Sequence, residues 1–239
     1  MTNKYELTQF KYSIGYTEII ILLICILCLA LIHYSDLDFI ISDYIYETTQ
    51  WKYTQSFWAE TIMHKTTKAI IIIIFLGLVF KLISLIRSRA ENHHIYDLFI
   101  LLLTVVLSIA LVSFLKRFFN ADCPWDLIRY GGEKPFYSLF DYPENMLPSK
   151  HCFPASHASV GYSWLALFFF FKVKNYQHKF KVLFGVLFIG ISFGIAQQIR
   201  GAHFISHDVW SLIVCLLTAI LIYSIAYRKK YMNCNKEIN

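Results

Sequence analysis

Charge is scarce in this chain. Asp, Glu, Lys and Arg make up 16% of its 239 residues, against 57% hydrophobic. That balance argues against a soluble domain, which needs more polar surface. Proline is nearly absent, and all five residues, Pro124, Pro135, Pro143, Pro148 and Pro154, fall in one stretch. No long apolar run is broken by proline or by paired glycines, and no inverted repeat is visible. Both absences weigh against a transporter, in which Arg, Lys and His near helix ends would line a substrate path. The N-terminus has the basic start and apolar core of a secretory signal, but no small-residue cleavage site follows. Cys28 also lacks the small residue that precedes a lipoprotein cysteine, so the first apolar run reads as an uncleaved helix. With no repeat and no low-complexity linker, residues 1–239 read as a single membrane-embedded domain.

Six apolar stretches approach bilayer length: Ile19–Ile32, Ala69–Ile86, Ile95–Leu115, Ala158–Phe171, Val182–Ile199 and Val209–Tyr227. The first and fourth fall short of the roughly 20 residues a spanning helix needs and must borrow flanking polar residues. Lys81 lies near the end of the second, where its stem can snorkel to the interface. The expected fold is therefore an all-α integral membrane bundle of six transmembrane helices. Arg87 and Arg89 occupy one short loop, and Lys172, Lys174, Lys179 and Lys181 another without acids. Arg228, Lys229 and Lys230 follow the last run. Alternating helices put these sites on one side with both termini, and the positive-inside rule makes that side cytoplasmic. The net charge of +6 is thus a topology signal and implies no nucleic-acid partner.

Between the first two runs, Leu37, Ile40, Ile41, Tyr44 and Ile45 recur at helical spacing against Asp36, Asp38, Asp43 and Glu47. Ser35 and Asp38 form a plausible capping pair at its start. A second candidate runs through Trp51, Phe57, Trp58 and Ile62. Both suit amphipathic helices lying in the outer interface, where Trp and Tyr prefer to sit. The proline-bearing stretch, Lys116 to Ser156, reads as a long irregular loop outside the bilayer. Loops of that length are usually functional.

Two polar segments open apolar runs on the same outer side: 152–157 (Cys-Phe-Pro-Ala-Ser-His) and 200–208 (Arg-Gly-Ala-His-Phe-Ile-Ser-His-Asp). One histidine can attack phosphorus while a second donates a proton. Lys116 with Cys123-Pro124, then Pro154-Ala155-Ser156-His157, then Gly201-Ala202-His203, resemble the three motifs of the type 2 phosphatidic acid phosphatase superfamily. That pattern is Lys, six residues, Arg-Pro; then Pro-Ser-Gly-His; then Ser-Arg, five residues, His, three residues, Asp. The bacterial branch rich in Cys-Pro-Trp-Asp-Leu, Tyr-Gly-Gly, Cys-Phe-Pro and Arg-Gly-Ala-His is most similar, matching Cys123–Leu127, Tyr130–Gly132, Cys152–Pro154 and Arg200–His203.

The resemblance implies that His203 is the nucleophile that takes the phosphoryl group. His157 then protonates the leaving alcohol and activates water. Lys116 holds the phosphate oxygens, and amides around Ser156 face the anion. This sequence departs from the pattern at several positions. Cys123 stands for the first arginine, Ala155 for serine, Ser156 for glycine and Gln197 for the last arginine. Arg200, one helical turn from Gln197, is read as the replacement cation, and Arg129 as compensation for Cys123. His207 has the family spacing for the group that orients His203, while Asp208 beside it has the family chemistry; His207 is preferred.

Cys25, Cys28 and Cys215 lie in apolar runs as small hydrophobes, and Cys234 lies in the cytoplasmic tail. Cys123 and Cys152 fall on the outer side, oxidising in a Gram-negative periplasm, where a disulfide would fasten the ends of the loop. A metal site is the competing arrangement, because His203 and His207 are four apart, with His157 or Asp208 to complete the shell. Lys116 and Arg200 near one centre suit an anion better, so no metal and no other cofactor is expected. The resulting expectation is a lipid phosphatase in the bacterial inner membrane, active at the periplasmic face. Its partners are the bilayer and a lipid phosphate, with no obligatory protein partner. Lipid A phosphate, undecaprenyl diphosphate and phospholipid phosphates all qualify, with lipid A phosphate favoured. A lipid-to-lipid phosphotransferase or a catalytically dead relative would carry the same motifs.

Overall fold

A computed structural model describes residues 14–54, 67–138 and 151–236 of the chain, and side chains over 14–54, 69–138 and 151–227. The described residues form eight α-helices: α1 (Tyr16–Tyr34), α2 (Leu37–Thr49), α3 (Thr67–Arg87), α4 (Asn92–Phe118), α5 (Ser156–Tyr162), α6 (Leu165–Val173), α7 (Lys179–Ile199) and α8 (Ile205–Lys236). Five are long and apolar enough to cross a membrane: α1, Ala69–Arg87 of α3, α4, α7 and Ile205–Tyr227 of α8. The chain is thus a multi-pass membrane protein. Large apolar side chains such as Leu23, Ile73, Phe80 and Phe188 point outward. A bilayer makes that exposure favourable, whereas water would not.

The fourth apolar stretch does not form one rod. It breaks into α5 and α6 at Ser163–Trp164, where three-residue bonds replace the α-helical ladder: Trp164 N–H to Gly161, Ala166 to Ser163 and Leu167 to Trp164. The serines explain the break. Ser159 Oγ donates to the Ser156 carbonyl at 2.7 Å and Ser163 Oγ to Val160 at 3.0 Å. Such back-bonding competes with the regular helix.

α5 packs most heavily on α7. The contact runs through glycine: a Cβ on Gly161 would lie 2.7 Å from Gly190 Cα, and one on Gly190 would lie 2.2 Å from the Tyr162 ring. Gly194, one turn further along α7, leaves room for the Asp208 carboxylate, which would sit 2.5 Å from an added Cβ. Small residues four apart let membrane helices approach closely, a pattern the sequence carries openly. Apolar residues of α4, α5, α6, α7 and α8 fill the core, with Leu101, Val112, Leu165, Phe169, Leu216 and Tyr223 nearly inaccessible.

Two buried carboxylates of the bundle are paired with lysines, as the bilayer favours. Buried Glu18 of α1 takes Lys172 from the end of α6 and accepts from the Gly15 amide. Buried Asp97 of α4 meets Lys174 at 3.0 Å and the Tyr227 hydroxyl at 2.7 Å. Both pairs lie at one end of the bundle, where α4 and α7 begin and α6 ends. The ends of α1, α4 and α7 and the starts of α5 and α8 meet at the other.

α2 closes that other end. It forms over the segment with helical apolar spacing, but its cap differs from the expected pair. Asp36 is the N-cap, in left-handed backbone, and no side chain caps it. Ser35 Oγ instead bonds back to the Leu31 carbonyl. Asp38 reaches across to α8, accepting the Ser206 amide at 2.9 Å, and so satisfies one open donor of that helix start. Phe39 packs edge-on against Phe204 and Phe136 at 5.6 and 4.9 Å. The second interfacial candidate, Phe57 to Ile62, lies outside the described residues. The loop after α4 is built on two 3₁₀ turns, Pro124–Asp126 and Ile128–Tyr130.

Candidate active site

The turn between α7 and α8 sets the position of His203. α7 ends in a Schellman motif, with the Gly201 amide on the Gln198 carbonyl and the Ala202 amide on Gln197, both at 2.9 Å. Gly201 is required twice. Its φ is +73°, and a Cβ there would meet the Trp51 ring at 2.8 Å. The Gly201 carbonyl accepts the Trp125 amide at 3.0 Å, tying this turn to the loop after α4. The chain then drops inward, and His203 is buried with 3% exposure.

Three groups that the sequence reading brought forward surround this imidazole closely enough for their charges to act on it. Burial holds the His203 pKa well below its ordinary value, and His207, Lys116 and His157 push it further down; the Cys152 carbonyl opposes them weakly. His203 is consequently a neutral imidazole at physiological pH, the form with a lone pair to offer. His157 is the second residue of α5, so its position follows from the glycine-lined α5–α7 contact. Ser156 opens α5, and its carbonyl is used by Ser159 Oγ. Lys116 lies two residues before the end of α4.

His207 and Asp208 face different neighbours. The His207 ring lies 5.8 Å from that of His203, centroid to centroid, and is bracketed by Phe153 at 5.2 Å and Phe204 at 5.4 Å. Its Nδ1 is 3.1 Å from the Cys152 carbonyl. A carbonyl only accepts, so Nδ1 carries the proton, and in the neutral ring Nε2 is left as an acceptor. His203 Nδ1 is buried and makes no hydrogen bond among the described residues, to His207 or to any other group. Asp208 turns to α7 instead, with Oδ2 accepting from Gln198 Nε2 at 2.5 Å beside Gly194. Its engagement with α7 sets it apart from the His203 ring.

The cysteines also meet. Cys123 and Cys152 are joined through sulfur with Cα atoms 5.3 Å apart, inside the usual disulfide range. The Cys152 amide donates to Ala121 at 2.8 Å. The carbonyl that orients His207 therefore belongs to a residue held at both its amide and its side chain. Cys25, Cys28 and Cys215 are free thiols.

The two arginines have other anchors. Arg200 Nε donates to the Thr54 carbonyl at 3.0 Å, and a terminal nitrogen to Gln197 Oε1 at 3.2 Å. Thr54 Oγ1 in turn donates to the Arg200 carbonyl at 3.1 Å. Gln197, where the motif has arginine, is thus buried and holds the arginine one turn on. Arg129 is not brought to the histidines. Its exposed guanidinium forks onto Asp43 of α2 at 2.8 and 2.5 Å and lies over Phe39. The hydrogen bonds from Arg129 lower the Asp43 pKa from its ordinary value.

Asp38, Gln198 and the glycines of α7 support this site without having been read from the sequence as part of it. The Gly190–Gly194 spacing was visible. The partners of Asp38 and Gln198 were not, because nothing local marks a bond to Ser206 or Asp208.

Residues 97–231, more than half of the chain, match the family model of the PAP2 superfamily. No curated protein and no solved structure matches.

Proposed function

Because the chain belongs to the PAP2 superfamily, whose members are metal-independent phosphatases acting on phosphomonoesters, we propose that it hydrolyses the headgroup phosphate of a membrane lipid through a phosphohistidine at His203. The observation that carries this reading is the buried, neutral His203 under the influence of Lys116, His157 and His207. Nε2 of His203 attacks phosphorus in line, and the bond from phosphorus to the lipid oxygen breaks. His157 gives its proton to that leaving oxygen. In the second half, His157 removes a proton from water, the hydroxide attacks the phosphohistidine, and His203 leaves with inorganic phosphate released. Lys116 stabilises the charge spread over the equatorial oxygens, with the Ser156 amide beside it and Arg200 as the second cation.

His207 keeps His203 aimed. With its own Nδ1–H on the Cys152 carbonyl, Nε2 can accept from His203 Nδ1–H and leave His203 Nε2 unprotonated for attack. Asp208 shapes the α7–α8 contact and is proposed to act through position only. The disulfide between Cys123 and Cys152 holds the Cys152 carbonyl in register.

The substrate is proposed to be a lipid whose phosphate reaches the outer interface of the bacterial inner membrane, with both termini cytoplasmic. The lysine-rich connection before α7 and the arginines after α3 support that orientation. Lipid A phosphate is favoured over undecaprenyl diphosphate and phospholipid phosphates. The purified full chain should be assayed on lipid A, undecaprenyl diphosphate, phosphatidylglycerol phosphate and phosphatidic acid, each with and without a second lipid acceptor. Phosphate release with an acid-labile phosphoenzyme is expected, and both should vanish in His203→Ala. Turnover that survives in folded His203→Ala overturns the mechanism, while transfer to the acceptor without phosphate release makes the enzyme a phosphotransferase.

A further inference from the structure

At the end of the bundle remote from the histidines, α3, α4 and α6 enclose a cleft of about 510 Å³. Its wall is mostly apolar, including Leu78, Leu85, Leu101 and Phe170, yet three basic side chains line it: Lys81, His94 and Lys174. His94 and Lys116 lie on the same helix 22 residues apart, so the cleft sits roughly 33 Å along α4 from the candidate active site. It is a separate place, at the opposite bilayer surface.

Lys81 is the residue that needs explaining. It lies inside the span Ala69–Arg87, about 9 Å short of the helix end at 1.5 Å per residue. It makes no hydrogen bond or ion pair among the described residues. A lysine at that depth can extend its ammonium toward the interface, where an anion would further offset the cost of its charge. Lys174 is different, because Asp97 meets it at 3.0 Å and its ammonium lies 4.6 Å over the Phe170 ring. Counting Asp97 against Lys174, the cleft keeps the single positive charge of Lys81, with His94 able to donate a hydrogen bond. An apolar wall with one uncompensated cation at a membrane surface matches a molecule with acyl chains and one anionic phosphodiester.

We propose that this cleft binds an anionic glycerophospholipid of the leaflet opposite the active site, its phosphate between Lys81, His94 and Lys174 and its chains along the leucines of α3 and α4. α3 packs against α4 and otherwise faces outward, so such a lipid also fills the side of the α3–α4 pair toward α6. The site is independent of the phosphatase reading.

The test is native mass spectrometry of the full chain, released from vesicles holding equal parts of phosphatidylglycerol, phosphatidylethanolamine and phosphatidylcholine with identical acyl chains. A chelator is present throughout, because the ligand atoms of Glu91, His93 and His94 lie within 4.8 Å of one another and could hold a stray metal ion. Retained phosphatidylglycerol should exceed phosphatidylcholine by about fivefold, the preference expected from one lysine at an anionic lipid. Lys81→Gln should abolish that preference while keeping monodisperse elution and helical content. Lys181→Gln, a control charge at the start of α7 outside the cleft, should leave it intact. Equal retention of the lipids, persistence of the preference in Lys81→Gln, or an equal loss in Lys181→Gln would each overturn the proposal. So would displacement of the lipid by millimolar inorganic phosphate, which would make the cleft a free-anion site.

Discussion

Replacing His207 is the sharpest test of how His203 is aimed. His207→Phe keeps a ring of similar size between Phe153 and Phe204, so the two edge contacts at 5.2 and 5.4 Å survive. What disappears is the bond from Nδ1 to the Cys152 carbonyl at 3.1 Å and the acceptor proposed for His203. Leaving that buried carbonyl unpaired should cost about 1–3 kcal/mol of stability, which a bundle of this size should survive. The effect on turnover should be larger. Loss of the group that fixes a catalytic imidazole's tautomer costs between about 10² and 10⁴ in kcat, or roughly 3–5 kcal/mol of barrier. KM should change little, because His207 is proposed to act on His203 rather than on the phosphate. His207→Asp supplies a carboxylate at the same position, and turnover should recover to within about tenfold of the native chain. Steady-state kinetics on detergent-purified protein, with thermal melts to verify folding, would measure both. If folded His207→Phe turns over within about threefold of the native enzyme, the relay is wrong and His203 is aimed by some other group.

Because burial lowers the His203 pKa from 6.5, the acid limb of kcat/KM should fall below pH 6.5. Stability follows the same sign: the unfolded chain takes up this proton below 6.5 and the folded one does not, so melting temperature should fall as pH drops through that range. A limb at or above 6.5 that is tied to His203 would contradict the burial. Cys123 and Cys152 are 29 residues apart in sequence, and closing that loop is worth about 3.6 kcal/mol on the chain-entropy estimate. Reductant should lower turnover before it melts the helices, whereas unchanged activity with both thiols alkylated would remove the bridge from the mechanism. Arg200→Ala should reduce kcat at least about 10²-fold, and Gln197→Ala, which loses one of the arginine's anchors, only several-fold. The reverse order would return the phosphate-binding role to the motif position itself.

Much of the bundle is legible because bilayer-length apolar runs and basic loops are local signals. Five of the six runs form helices of spanning length, and the periodic Leu37–Ile45 segment forms α2. The break at Ser163–Trp164 was missed because apolar residues surround it and hydropathy averages over them; the hydroxyls of Ser159 and Ser163 carry the signal instead. The partners of Asp38, Asp43 and Arg200 were missed for another reason. These bonds join residues 168, 86 and 146 positions apart, and a single sequence does not encode which polar side chain meets which. Arg129 shows the cost of reasoning from charge alone. A cation was missing from the motif and one stood nearby in sequence, but the fold gave it to Asp43 on α2.

The motif departures that looked independent in sequence become related in space. The pattern that this chain resembles has an arginine where Cys123 stands and an aspartate where His207 stands. Exchanging both for neutral groups leaves the net charge near His203 unchanged, so under the proposed mechanism the phosphate would meet a comparable field. An aspartate would need no help to accept from His203. A histidine can accept only if its other nitrogen holds the proton, and that requires an acceptor on its far side. The Cys152 carbonyl is that acceptor, 3.1 Å from Nδ1. Cys152 is placed there by the Ala121 carbonyl and by its bond to Cys123. On the proposed relay, the cysteine that replaces the arginine thus helps to hold the carbonyl that would let the histidine stand for the aspartate, which links the two exchanges.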